Sequence, residues 1–130
     1  MGAWGLLFDE NDDAADWLGD FNDNPSWETV DAAFDAASID GTYLEAPECC
    51  QALAAAEIVA AGIGRPSPRL EQGILGWAHA NAAGAPSRRE AASSVLSRLR
   101  GDSELQELWE ETDEFSDWQA SVDEILSRLG

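Results

Sequence analysis

A chain of 130 residues, 45% of them hydrophobic, is long enough to bury one sizeable core, so it reads as one folded domain spanning 1–130 and not as a disordered segment. Its 26 acids face seven basic residues, all arginine, for a net charge of −19, a balance unsuited to direct contact with nucleic-acid phosphates or an anionic membrane. No apolar run is long enough to cross a bilayer and no basic-then-apolar leader opens the chain, so a soluble, cytoplasmic protein is expected.

The opening Met1-Gly-Ala-Trp-Gly-Leu-Leu-Phe8 is apolar and punctuated by glycine, too short for a helix and unlike a surface tail. Trp4, Leu7 and Phe8 are therefore expected to be buried in an irregular or extended N-terminal segment. Asn11-Asp12-Asp13 supplies side-chain acceptors and negative charge for a helix start. A helix over about 12–20 would place Ala14, Trp17 and Leu18 on one face. Asn24-Pro25-Ser26 starts a second helix, whose stripe of Trp27, Val30, Ala33, Phe34 and Ala37 ends near Ser38. Asp40-Gly41 reads as a turn.

Pro47 fits the first turn of a third helix, and Glu48 to Ala61 is nearly all Ala, Leu, Ile and Val. A helix apolar on every side belongs at the centre of a bundle. Gly62-Ile-Gly64 closes it, and Arg65-Pro-Ser-Pro68 is a loop. A fourth helix over 69–82 carries Leu70, Ile74, Leu75, Trp77 and Ala78. Ser87-x-x-Glu90 has the form of a capping box opening a helix to Arg100, and Ser103-x-x-Gln106 of another. Phe115, Trp118, Val122, Ile125 and Leu129 form the stripe of a last helix. Nothing alternates with period two for long enough to be a strand. The expected fold is all-α, a single-domain bundle of six or seven helices.

Charge is unevenly placed. Residues 1–64 have no arginine; residues 65–100 hold Arg65, Arg69, Arg88, Arg89, Arg98 and Arg100 against Glu71 and Glu90; residues 101–130 hold Arg128 alone among acids. The basic middle is expected to pack between the acidic ends and relieve their repulsion. Cys49 and Cys50 are adjacent, so they are expected as reduced thiols with at least one packed inside. The absence of lysine beside many alanines fits a high-GC or halophilic source.

Two windows resemble a calcium loop: Asp9, Asn11, Asp13 and Asp20, and then Asp20, Asn22, Asn24, Ser26, Glu28 and Asp31. The glycine needed at the sharp turn is Ala14 in one and Pro25 in the other, so helix capping explains these residues better. Glu57 stands alone in Ala54-Ala-Ala-Glu-Ile-Val-Ala60, and a buried carboxylate must be paired or protonated. Its expected partners are Arg65, Arg69, Arg98, the N-terminal amine or backbone amides of the opening segment. His79 alone makes neither a triad nor a metal cluster. Six tryptophans, including Trp4, Trp17, Trp27, Trp77, Trp109 and Trp118, sit on apolar faces; core packing is the default, with one or two free to act as interface anchors.

Several stretches together resemble a family of small bacterial proteins, the domain of unknown function number 4259. They are Met1-Gly-Ala-Trp-Gly5, Phe8-Asp-x-Asn11-Asp12-x-Ala14-x-Asp16-Trp17, Tyr43-Leu-Glu-Ala-Pro-Glu48, Ala52-Leu-Ala-Ala-Ala-Glu57 and Asp102-Ser-Glu-Leu-Gln-Glu-Leu-Trp-Glu110. Leu6-Leu7 stands where the family more often has glycine before the Phe. The resemblance spans nearly the whole chain and implies a small cytoplasmic bacterial protein. It assigns no catalytic residue; Trp4, Asn11, Asp12, Trp17, Glu57 and Trp109 are expected to be structural, and no cofactor is expected.

With no catalytic constellation, the expected function is a non-enzymatic interaction module of inhibitor, immunity or regulatory type. Its acidic surface would engage a cationic protein, in one version by mimicking nucleic-acid phosphates, and it would be a monomer or small homo-oligomer without a cofactor. The alternative is a divalent-cation or carboxylate-based site drawn from Asp9, Asn11, Asp13, Glu45, Glu48 and Glu57.

Overall fold

From Ala46 to Gly62 the only charged or amide side chains are Glu48, Gln51 and Glu57, so this helix has no hydrophilic face to turn to water. It is buried along nearly its whole length, from Cys49 through Gly62, with Gln51 the one half-buried exception. The computed structural model describes residues 12–38 and 43–130. Those residues form seven α-helices and no strand: α1 Asp12–Asp23, α2 Trp27–Ala36, α3 Ala46–Gly62, α4 Gln72–Ala80, α5 Arg89–Gly101, α6 Glu104–Glu110 and α7 Phe115–Leu129. The fold is all-α. Single 3₁₀ turns, Ala82–Gly84 and Pro86–Arg88, join α4 to α5.

The other six helices all pack against α3. Its alanines make this possible, because short side chains at Ala52, Ala54, Ala55, Ala56, Ala60 and Ala61, all fully buried, let the neighbouring helices close in without leaving gaps. Each surrounding helix contributes an apolar stripe, such as Val95, Leu96 and Leu99 from α5 and Trp118, Val122, Ile125 and Leu129 from α7.

Local chemistry sets most helix ends. Asp12 and Asp13 lie in the first turn of α1, beside its positive dipole end. This helix runs to Asp23, beyond the expected end, because Phe21 lies two turns after Ala14 and is the larger core anchor. Trp17, expected on the buried face, is half-buried and stacks on Phe21 at 5.5 Å. Ser26 caps α2 by accepting from the Thr29 amide at 3.2 Å, and Ser103 caps α6 by accepting from the Gln106 amide at 3.1 Å. α4 is shorter than the expected 69–82, starting only after Glu71.

The capping box at Ser87-x-x-Glu90 does not form. A side-chain cap needs extended backbone, as at Ser26 (φ −160°, ψ 151°) and Ser103 (φ −162°, ψ 163°). Ser87 instead lies within a 3₁₀ turn, its hydroxyl donates to the Gly84 carbonyl, and α5 starts at Arg89 without a side-chain cap.

Glycine matters at one close approach. A Cβ at Gly62 would lie 2.5 Å from Ala85 Cβ, and one at Gly84 would lie 2.5 Å from Trp27 Nε1, so these two positions let the 3₁₀ connection seat on α3 over the Trp27 ring. The expectations for Met1–Phe8, including Trp4, and for Asp9, Asn11 and the Asp40-Gly41 turn lie outside the described residues.

Candidate functional site

Pro47 sits in the first turn of α3, and Glu45 at the N-cap makes no side-chain bond to the helix. The free amide of Ala46 is satisfied from elsewhere: it donates to Glu104 Oε1 at 2.7 Å, from a residue 58 positions later in the chain. The Glu104 amide in turn donates to the Leu44 carbonyl at 2.8 Å, and Tyr43 donates its hydroxyl to Glu107 Oε2 at 2.5 Å. The stretches Tyr43–Glu48 and Asp102–Glu110, both part of the family resemblance, are thus two halves of one junction.

That junction is partly buried. The Ser103 hydroxyl donates to the Leu99 carbonyl at 2.6 Å and accepts from the Gln106 amide at 3.1 Å. Burial pushes Cys49 up to about 11, against smaller opposing effects of Ser103 and the Leu105 backbone. Burial pushes Cys50 to about 12, with Cys49 and Asp13 adding to the rise. Both are free, fully buried thiols, inert at neutral pH.

Beside the junction, the end of α2, the chain leading into α3 and Arg98 of α5 enclose a cleft of about 120 Å³. Ala36, Ala37, Leu44 and Tyr43 form much of its wall. Glu45 and Glu48 line it as well, so the structure brings these two candidate carboxylates together. Arg98 directs Nη1 to the Ala37 carbonyl at 3.4 Å. Glu48 is half-buried, and its Oε2 is buried without a hydrogen-bond partner.

Glu57 lies elsewhere, on the side of α3 facing α7. It is 2% exposed and receives both Nη groups of Arg128, at 2.7 and 2.8 Å, in a bidentate pair. Arg128 also donates to both oxygens of Glu124, at 2.6 and 2.8 Å, and to the Arg65 carbonyl at 3.1 Å, which occupies all five of its N–H groups. Among the described residues its ion-pair partner is Arg128, which the sequence reading did not consider for this role; the expected N-terminal amine and amides of the opening segment lie outside the described residues. Seventy-one positions separate the two, and the helical stripe assigned Arg128 to no face.

Asp13 and Asp20 of the first calcium-loop window lie in helix α1, and Asp20 and Asn22 of the second lie in α1 with Glu28 and Asp31 in α2, so these positions do not have loop geometry. Among the described residues, no group of three or more His, Cys, Asp or Glu is placed to hold a metal ion. His79 is exposed in the last turn of α4. Trp109 and Trp118 are core residues stacked at 6.5 Å, whereas Trp17 and Trp77 are half-buried against Phe21 and the half-buried Trp27 packs on Trp77. Arg88 covers the Trp27 ring at 5.1 Å while bidentate to Asp31. Sequence reasoning considered Arg98 only as a partner for Glu57 and gave Glu104 and Glu107 no role, although both lie in the stretch Asp102–Glu110 that carries the family resemblance.

Fold and site together describe an acidic all-α domain wrapped around a buried alanine-rich helix. The model of the family described as domain of unknown function (DUF4259) matches residues 2–121, and the chain belongs to that family. No curated protein and no solved structure matches the chain.

Proposed function

We propose that this protein is a non-enzymatic interaction module of the bacterial cytoplasm, an inhibitor, immunity or regulatory protein whose acidic surface engages a cationic partner protein. The observation that carries this reading is the use made of the arginines. Arg88 pairs with Asp31, Arg100 with Asp123, and Arg128 with Glu57 and Glu124. Arg65, Arg89 and Arg98 bond the backbone carbonyls of Arg128, Leu129 and Ala37. Most of the cations are thus engaged with acids or carbonyls of the fold itself, while Asp16, Asp20 and Asp23 on α1 and Glu111, Asp113, Glu114 and Asp117 around the α6–α7 turn are exposed. A surface of one sign speeds association with a basic partner and rejects acidic ones.

The test is capture of a basic protein by the immobilised chain, followed by affinity measurement at low and high salt. Affinity that falls steeply with salt is expected; no capture, or capture indifferent to salt, overturns the reading. Competition between DNA and this protein for the captured partner would identify phosphate mimicry as the mode. The divalent-cation reading retains Glu45 and Glu48 on one cleft, fewer oxygen ligands than the six to eight that calcium takes. Calorimetric titration with calcium, magnesium, manganese and zinc that shows no saturable heat excludes it.

A further inference from the structure

We infer that the cleft between α2, α5 and the start of α3 is a lysine pocket, receiving the ammonium end of a lysine side chain of the partner with Glu48 as acceptor. The inference rests on the cationic-partner reading and supplies its point of contact. Glu48 lines the cleft with one carboxylate oxygen buried, and among the described residues it makes no hydrogen bond or ion pair. A carboxylate that lines a cleft with mostly apolar walls and has no cation paired with it favours an incoming one.

The walls fit the stem of the same side chain. Ala36, Ala37 and Leu44 present apolar surface, as four methylenes require. Tyr43, 56% exposed and the one large hydrophobic residue exposed among those described, stands at the rim. A volume of about 120 Å³ is well below the roughly 300–1,000 Å³ of pockets for drug-sized ligands, and suits a single side chain. Arg98 lines the cleft too, but Glu45 and Glu48 outnumber it, so the lining remains net negative. A guanidinium would bring a second planar cation beside Arg98; an ammonium is more compact. The chain contains no lysine, so a second copy of it has none to insert, and the side chain must come from a different protein.

The experiment is an amide NMR titration of the full chain with N-acetyl-lysine amide, alongside its norleucine and arginine counterparts. The lysine probe is expected to give saturable shifts at Tyr43, Leu44, Glu45 and Glu48, with the norleucine probe giving none. Glu48→Gln should weaken binding about tenfold, the loss of one hydrogen bond to a charged group. Glu90→Gln, an exposed acid outside the cleft, should leave binding within about twofold. Because Glu48 has no partner to lose, Glu48→Gln should melt no lower than the parent. Equal binding by Glu48→Gln, equal binding of norleucine, or shifts spread over the acidic surface would overturn the pocket. If Glu48→Gln binds the lysine probe normally while salt-sensitive partner capture persists, the pocket fails and the interaction reading stands. Saturable lysine binding without any partner capture would show the reverse.

Discussion

Arg128 shows how far one side chain can be saturated. With all five of its N–H groups used on Glu57, Glu124 and the Arg65 carbonyl, it is held at the end of α7, and the bonded carboxylates raise its pKa further above the usual arginine value. Removing the charge of Glu57 leaves part of that guanidinium buried without its anion, so Glu57→Gln should lower stability by about 3 kcal/mol. Glu45→Gln, on an exposed N-cap without a side-chain bond, should change it by well under about 1 kcal/mol. Urea unfolding of both variants checks the contrast, and equal midpoints would show that Glu57 is solvated. Tyr43 offers a second check, since it is the only tyrosine. Its bond to Glu107, with lesser contributions from burial and the charges of Glu107 and Glu104, raises it from 10.0 to about 12. The bond needs the phenol proton, so its contribution is complete below about pH 10 and is lost as pH rises through about 12. Ultraviolet titration of the phenolate should therefore give a midpoint near 12, and Glu107→Gln should bring it back toward 10.0.

At the scale of elements, two serines of similar sequence context behave differently. Ser103 precedes α6 in extended backbone and caps it, while Ser87 lies inside a 3₁₀ turn and caps nothing. Ser103→Ala should cost about 1–2 kcal/mol, since it removes a cap and the hydroxyl bonded to the Leu99 carbonyl. Ser87→Ala should cost less than about 0.5 kcal/mol, as an exposed substitution without a buried partner. Thermal unfolding of the pair measures the difference, and similar losses would mean that the box at Ser87 forms in solution. The same reasoning explains the start of α3. Pro47 and the uncommitted Glu45 leave its first amide to be satisfied by Glu104, so the formation of α3 and of the α6 N-terminus are coupled.

Across the whole molecule, electrostatics opposes compactness. Two arginines of the middle region pair with acids on either side of it in the chain, Arg88 with Asp31 and Arg100 with Asp123. Seven cations cannot neutralise 26 acids, and the remainder repel one another across the surface. Added sodium chloride screens that repulsion more than it weakens the part-buried pairs. The melting temperature should rise between about 10 mM and about 0.5 M salt. A fall would mean that the surface ion pairs contribute more than the repulsion costs. The same excess charge steers a basic partner, so stability and partner affinity should respond to salt in opposite directions.

What the sequence determined alone was whatever depends on neighbours a few residues apart. The stripe of Phe115, Trp118, Val122, Ile125 and Leu129 predicts α7, Ser26 and Ser103 predict the starts of α2 and α6, and the run from Glu48 to Ala61 predicts a central helix, because periodicity and capping are local properties. The need of Glu57 for a partner was also legible, since an acid within an apolar helix cannot stay alone. Its partner was not. Which arginine reaches Glu57, which acid caps Ala46, and that Glu45, Glu48 and Arg98 share one cleft depend on how α5, α6 and α7 settle around α3. Those contacts reach across 50 or more positions of the chain, and several arginines and many acids satisfy the same local rules. Only the packing of helices on α3 selects among them.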